Sequence, residues 1–214
     1  QNLDILSPGR MSSHRGEVTG QRIERLPCPF SRVGIATFER VDKHLFNKMQ
    51  RRFVISGTVQ TRLRQFGGIS SDVLYPPPPR RDYRHDTYGD YLFGVSRLSP
   101  LKRFDLVLRA LAEPMAASIK CVIAGEGAEI DALMKLRSHL ELEHRVQFVG
   151  RLDEAGLVHH LARCRAVIFP PFNEDYGFVT VEAYMCGKPV ITCTDSGGPA
   201  ELVHDGETGY VTAP

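Results

Sequence analysis

Two glutamates, Glu174 and Glu182, are separated by seven residues in the run Asn173-Glu174-Asp175-Tyr176-Gly177-Phe178-Val179-Thr180-Val181-Glu182-Ala183. An ionised carboxylate accepts from two vicinal hydroxyls at once, so the pair suits a ligand rich in hydroxyl groups. Gly177 marks a turn and the apolar residues after it a helix, which places Glu174 in the loop and Glu182 one to two turns inside the helix. The N–H groups of Gly177, Phe178 and Val179 then open that helix without intrahelical acceptors, where an anion or a polar oxygen binds well. Hydroxyls held by carboxylates beside an anion held by backbone describe a nucleotide sugar. Taken singly, Glu174 also reads as a solvated loop acid, and Glu182 as a glutamate that favours the helix dipole.

The elements around this run alternate strand and helix. Strands are expected at 91–95, 119–124, 146–149, 166–169, 190–193 and 210–212. Helices fall between them, with Phe104, Val107, Leu108 and Leu111 in the first and Ile130, Leu133, Met134 and Leu140 in the second, at helical spacing. Asp153 is placed to cap the helix that carries Leu157 and Leu161, Gly187 to end the one after the glutamate loop, and Pro199 to start a short one at its first position. Such a chain predicts an α/β fold with a Rossmann-like parallel sheet flanked by helices, whose ligands bind beyond the carboxyl ends of the strands. Upstream, residues 52–56 read as a strand, 58–66 as a helix and 42–50 as another helix, while residues 1–35 read as loop with a solvated basic arm at Arg10, Arg15, Arg22 and Arg25. Pro76 to Pro79 form an extended, stiff segment suited to a spacer between domains.

Composition narrows the classes. A length of 214 residues fits one to two domains, and a net charge of +2 gives no general attraction to nucleic acid. No apolar run reaches the ~18 residues of a membrane span, and no signal-peptide pattern opens the sequence. The first residue is Gln1 rather than Met, which suggests a fragment or a processed product. Five cysteines, Cys28, Cys121, Cys164, Cys186 and Cys193, share no metal-ligand spacing; no metal site is expected, and a reducing, cytoplasmic compartment is.

Glu174 to Glu182, then Gly187-Lys188-Pro189-Val190-Ile191 and Asp195-Ser196-Gly197-Gly198-Pro199-Ala200-Glu201, closely resemble the donor-binding half of family 4 retaining glycosyltransferases of the GT-B fold. The resemblance continues upstream to Ser96-Arg97-Leu98-Ser99-Pro100-Leu101-Lys102-Arg103-Phe104-Asp105 and Gly125-Glu126-Gly127, covering Tyr91 to the C-terminus in order. It implies a donor-binding domain over 81–214, truncated at its C-terminal end. Residues 1–80 would be a linker and the remnant of an N-terminal, acceptor-side domain.

By the same resemblance Arg97 and Lys102 hold the diphosphate, Glu174 the donor sugar and Glu182 the ribose. Gly177, Phe178 and Val179 offer backbone N–H groups, Gly125 lies beside the donor, and Gly197 and Gly198 border the sugar and diphosphate. Arg151 and Leu152 fall where relatives hold the nucleobase, largely through backbone, so UDP, GDP and ADP are not distinguished. On the residues alone, Arg97 and Lys102 are also readable as solvated charges, Arg151 as a surface arginine, and Gly125-Glu126-Gly127 as a tight turn; Ile130 fills the third glycine position of a dinucleotide fingerprint. Arg103 departs from the glycine often found after this lysine, and Glu201 either caps its turn or supports Lys188. Without an Asp-x-Asp motif, fixed cations rather than a metal would offset the leaving charge. The resemblance further implies no cofactor beyond the nucleotide-sugar substrate, a glycan or lipid-linked acceptor, and peripheral contact with the inner face of a membrane. Two other readings stay open: a nucleotide-sugar-binding module without activity alone, and a GT-B epimerase.

Overall fold

A computed structural model describes residue 37, residues 40–46 and residues 48–214. The expectations for residues 1–35, including the basic arm and Cys28, lie outside the described residues. The described residues divide into two compact units, one of those up to 55 with 59–74, the other of residues 56–58 with 75–214.

In the smaller unit residues 40–46 are helical. Strand β1 (Phe53–Val54) pairs in parallel with β2 (Asp72–Val73), Phe53 opposite Asp72 and Val54 opposite Val73. Helix α1 spans Gly57–Gly67, its first two residues grouping with the larger unit. The first strand is shorter than the expected 52–56, and β2 was not foreseen; two residues leave no alternation to read. Val54 and Ile69 are buried here.

The larger unit is a six-stranded sheet in the order β5-β4-β3-β6-β7-β8, built from β3 (Tyr91–Val95), β4 (Lys120–Ala124), β5 (Val146–Phe148), β6 (Ala166–Ile168), β7 (Val190–Cys193) and β8 (Gly209–Thr212). Every neighbouring pair runs parallel. Helices α2 (Phe104–Ala112), α3 (Ile130–His139), α4 (Glu154–Arg163), α5 (Phe178–Met185) and α6 (Gly198–Leu202) connect them. The α/β, Rossmann-like expectation holds. Strand order reverses between β3 and β6, and that switch point is where a doubly wound sheet opens a ligand crevice.

The two-residue period of each strand separates two cores. Leu92, Cys121, Ile123 and Ile168 face Phe104, Leu108 and Leu133 of α2 and α3. Phe93, Val122, Ala124 and Val167 face the other way, against Leu161 of α4 and Ala183 of α5. Alternate residues therefore serve opposite faces. Met134, counted with the apolar stripe of α3, is exposed instead. Asp153 accepts from Gly156 N–H at 2.7 Å and caps α4 as expected. Pro199 is the second residue of α6, not the first, because Gly197 supplies the cap and Gly198 opens the helix.

Residues 75–90 precede β3 without regular structure and group with the larger unit. Tyr176 donates to Pro76 O at 2.9 Å, and Gly89 N–H to Arg163 O at 2.9 Å, tying this strap along α4 and α5. Lys188, only 1% exposed, donates to Thr87 O and lies 4.3 Å from the centre of the Tyr88 ring. Burial pulls its pKa below the ordinary lysine range. Glu201 does not support it: its carboxylate accepts from the N–H of Gly57 at 2.8 Å and from Thr58, because Lys188 is drawn into the strap. No helix among the described residues is long and apolar enough to cross a membrane.

Candidate functional site

The loops after β3, β4, β5, β6 and β7 meet at the carboxyl edge of the sheet. After β3 the backbone turns against the β4 loop, with Ser96 N–H donating to Ala124 O at 3.2 Å and Leu98 N–H to Glu126 O at 2.9 Å. Leu98 buries its side chain, which leaves Arg97 exposed, with no ion pair among the described residues. A single turn at Pro100–Lys102 follows and ends at Arg103, whose φ of 51° is left-handed. That turn aims Lys102 at the β6 loop, where its ammonium meets the Glu174 carboxylate and lies 5.6 Å from the centre of the Phe169 ring. The three residues expected to act in catalysis thus rise from the two loops flanking the switch point, and Lys102 and Glu174 touch.

Glu174 is held by its backbone. Its N–H donates to Ser196 O at 3.0 Å, and its carbonyl accepts from Gly198 N–H at 2.8 Å. A Cβ at Gly197 would lie 2.5 Å from Glu174 O, and one at Gly198 2.6 Å from Tyr176 Cα. The close approach at Gly197 and Gly198 is therefore to the protein's own glutamate loop, a structural role that the sequence did not separate from ligand contact. Gly177, at φ 78°, caps α5; Phe178 is half exposed at the first turn, and Val179 packs partly on the second core.

Arg103 fastens the arrangement. Its guanidinium makes two bonds to the Asp195 carboxylate, at 2.8 and 2.6 Å, and donates to Pro170 O at 2.8 Å and Pro171 O at 3.1 Å. One side chain so joins the loops after β3, β6 and β7. In the sequence Arg103 stands where glycine is often found, and only its place beside Lys102 hints at more. Arg103→Ala loses these bonds and keeps the left-handed backbone, whereas Arg103→Gly loses the bonds and relieves the strain. Urea unfolding should therefore find the alanine variant less stable than the glycine variant by about 1 kcal/mol.

Gly125 N–H donates to Gly150 O at 2.8 Å, joining the β4 and β5 loops. Arg151 projects as an exposed side chain, whereas Leu152 packs its side chain on the second core.

Glu182 stands apart from the Lys102–Glu174 pair. It is 5% exposed, and its Oε1 accepts from Arg81 Nη1 and, at 3.1 Å, from the Tyr83 hydroxyl. Burial pushes its carboxyl above the usual range, and Arg81 and then Tyr83 pull it back. Neither partner was singled out in the sequence. The one signal was their spacing: residues i and i+2 of an extended segment face the same way.

The model of the family described as "Glycosyl transferases group 1" matches residues 79–214. Among curated relatives, the D-inositol 3-phosphate glycosyltransferase of Frankia alni is 33% identical over 160 residues, 68% of this chain and 39% of that protein. The N-acetyl-alpha-D-glucosaminyl L-malate synthase of Bacillus anthracis is 29% identical over 133 residues, 62% of this chain and 34% of its own length. The chain thus spans between a third and two fifths of these two relatives. Among solved structures, Anabaena HepE in complex with UDP and glucose superposes with a TM-score of 0.65 at 27% identity, over 83% of this chain and 53% of that one. S. aureus TarM, at 22% identity, shares the fold with a TM-score of 0.70 over 83% of this chain and 36% of its own. With a Rossmann-like parallel sheet of the GT-B kind, two glutamates with seven residues between them and a family match over residues 79–214, this chain belongs to the glycosyl transferases group 1 family.

Proposed function

We propose that residues 75–214 bind the nucleotide-sugar donor of a retaining, metal-independent hexosyltransferase whose acceptor is a glycan or a lipid-linked glycan. The observation that carries this reading is the meeting of Lys102 and Glu174 at the switch point, with Arg97 exposed on the same loop. A UDP-sugar is the donor we favour, because HepE, at 26–27% identity, is described in complex with UDP-glucose and with UDP and glucose.

In this scheme the diphosphate takes Lys102 and Arg97, the hexose hydroxyls take Glu174, and the ribose takes Glu182. Breaking the bond between the anomeric carbon and the phosphate oxygen leaves the electron pair on the diphosphate, and the two cations offset that charge. The acceptor hydroxyl attacks the same face of the sugar, and its proton passes to the departing phosphate oxygen. Arg97 serves the charge with paired N–H donors and Lys102 as a point charge. Four free, buried cysteines among the described residues support a reducing, cytoplasmic setting, at the inner face of a membrane when the acceptor is lipid-linked.

Product analysis tests the reading. UDP-hexose incubated with the protein and a glycan acceptor should release UDP only when acceptor is present, and proton NMR should show the donor's anomeric configuration in the product. Inversion would overturn the retaining scheme. An epimerised donor formed without acceptor would overturn transfer itself.

A further inference from the structure

Glu182 is buried deeply enough that its charge needs support, and the support comes from a distant part of the chain. Arg81 and Tyr83 leave the strap on the same side, and both donate to Oε1 of Glu182. They are also joined to each other, Arg81 Nη1 to the Tyr83 hydroxyl at 3.2 Å. Oε2 takes neither donor. Arg81 carries a second acidic neighbour, Glu154 at the start of α4, 3.6 Å from its Nε. Arg81 and Glu182 keep only 18% and 7% of their side-chain surface exposed, so solvent screens the pair weakly.

We propose that Arg81 and Tyr83 are positioning residues for nucleotide recognition, orienting Glu182 through Oε1 as an ionised carboxylate and leaving Oε2 to a ribose diol. The inference rests on the donor-site reading above and adds two residues to it. A ribose hydroxyl donates well to a carboxylate and poorly to a neutral acid's carbonyl, so affinity follows the ionisation of Glu182. The groups facing Glu182 are Arg81 and Tyr83 from the strap, Glu154 from α4, and Cys186 just past α5. Burial and Glu154 favour its neutral form, whereas Arg81 and Tyr83 favour the charged one. Removing Arg81 therefore raises the pH at which Glu182 ionises.

Titration of the full chain with UDP across pH 5.5 to 9 tests this, using the unaltered protein and Arg81→Met, Arg81→Lys, Tyr83→Phe, Glu182→Gln and Arg81→Met/Glu182→Gln. Arg81→Met should bind several-fold more weakly at the acid end of this range and recover as pH rises, with its midpoint displaced upward. Arg81→Lys should restore most of the affinity, and Tyr83→Phe should shift the midpoint in the same direction by less. In the Glu182→Gln background the Arg81→Met change should cost almost nothing, because the group that Arg81 serves is gone. The nucleotide's own ionisation is common to all variants and cancels. An equal loss at every pH, or an undiminished Arg81→Met effect beside Glu182→Gln, would overturn the proposal while leaving the donor site intact. Failure of the unaltered chain to bind would instead remove the donor reading. If Arg81→Met does not fold, Arg81→Lys and Tyr83→Phe carry the test through the same midpoint: an upward shift for Tyr83→Phe supports the proposal, and unchanged profiles for both overturn it.

Discussion

Replacing Lys102 by alanine is expected to lower turnover on the order of 10²–10³-fold, the loss typical of removing one fixed donor to a developing charge. The loop geometry makes this a demanding prediction, because Lys102 also touches Glu174. If Lys102 served only to anchor that glutamate, Glu174→Gln would be as damaging and the double variant no worse than either. Direct stabilisation of the leaving diphosphate predicts instead that Lys102→Ala lowers kcat more than Glu174→Gln does, and that the double variant falls further still. Steady-state rates of UDP release for the four proteins decide between the two. The ammonium is close enough to the Phe169 ring for a cation–π contact, which holds it in the site without consuming its charge.

The second large effect is on stability. Gly125 joins β4 to the turn before α3 at φ 136°, a backbone conformation that L side chains rarely adopt, and a Cβ there would lie 1.8 Å from Ser96 O. The obstacle is backbone, in the loop that leads to Arg97 and Lys102, so it cannot swing aside as a flexible side chain would. Gly125→Ala should cost on the order of 3 kcal/mol from the strained dihedral and the forced loop shift together. Urea unfolding should show a lower midpoint at an unchanged slope. A midpoint within error of the unaltered protein would show that the β3 and β4 loops do not pack as described.

Much of this architecture was legible because it is local. The continuous apolar run Cys121-Val122-Ile123-Ala124 marks a strand buried on both faces, and the helical stripe of Phe104, Val107, Leu108 and Leu111 a helix buried on one, each within a few residues. Asp153 declared its helix by a cap within three residues, and Gly187 closed another with a positive φ of 65°. Glu174 and Glu182 were visible as a spaced pair. Their partners differ in kind. Lys102 and Glu174 lie 72 positions apart and Arg81 and Glu182 lie 101 apart, so these contacts exist only once the sheet has formed. Arg103 was hardest to read, because a left-handed position favours glycine, and only the Asp195 pairing across 92 positions explains an arginine there. Strand β2 escaped notice for another reason, since two residues carry no period.

Calorimetric titration of the folded chain with UDP to millimolar concentration, repeated with Lys102→Ala, tests the central claim most directly. Saturable one-to-one binding of UDP that weakens when Lys102 is replaced is expected, with the folded state of both proteins confirmed by circular dichroism. A folded chain that binds no nucleoside diphosphate, or one that binds UDP equally well without Lys102, would contradict the assignment of the β3 and β6 loops as a nucleotide-sugar site.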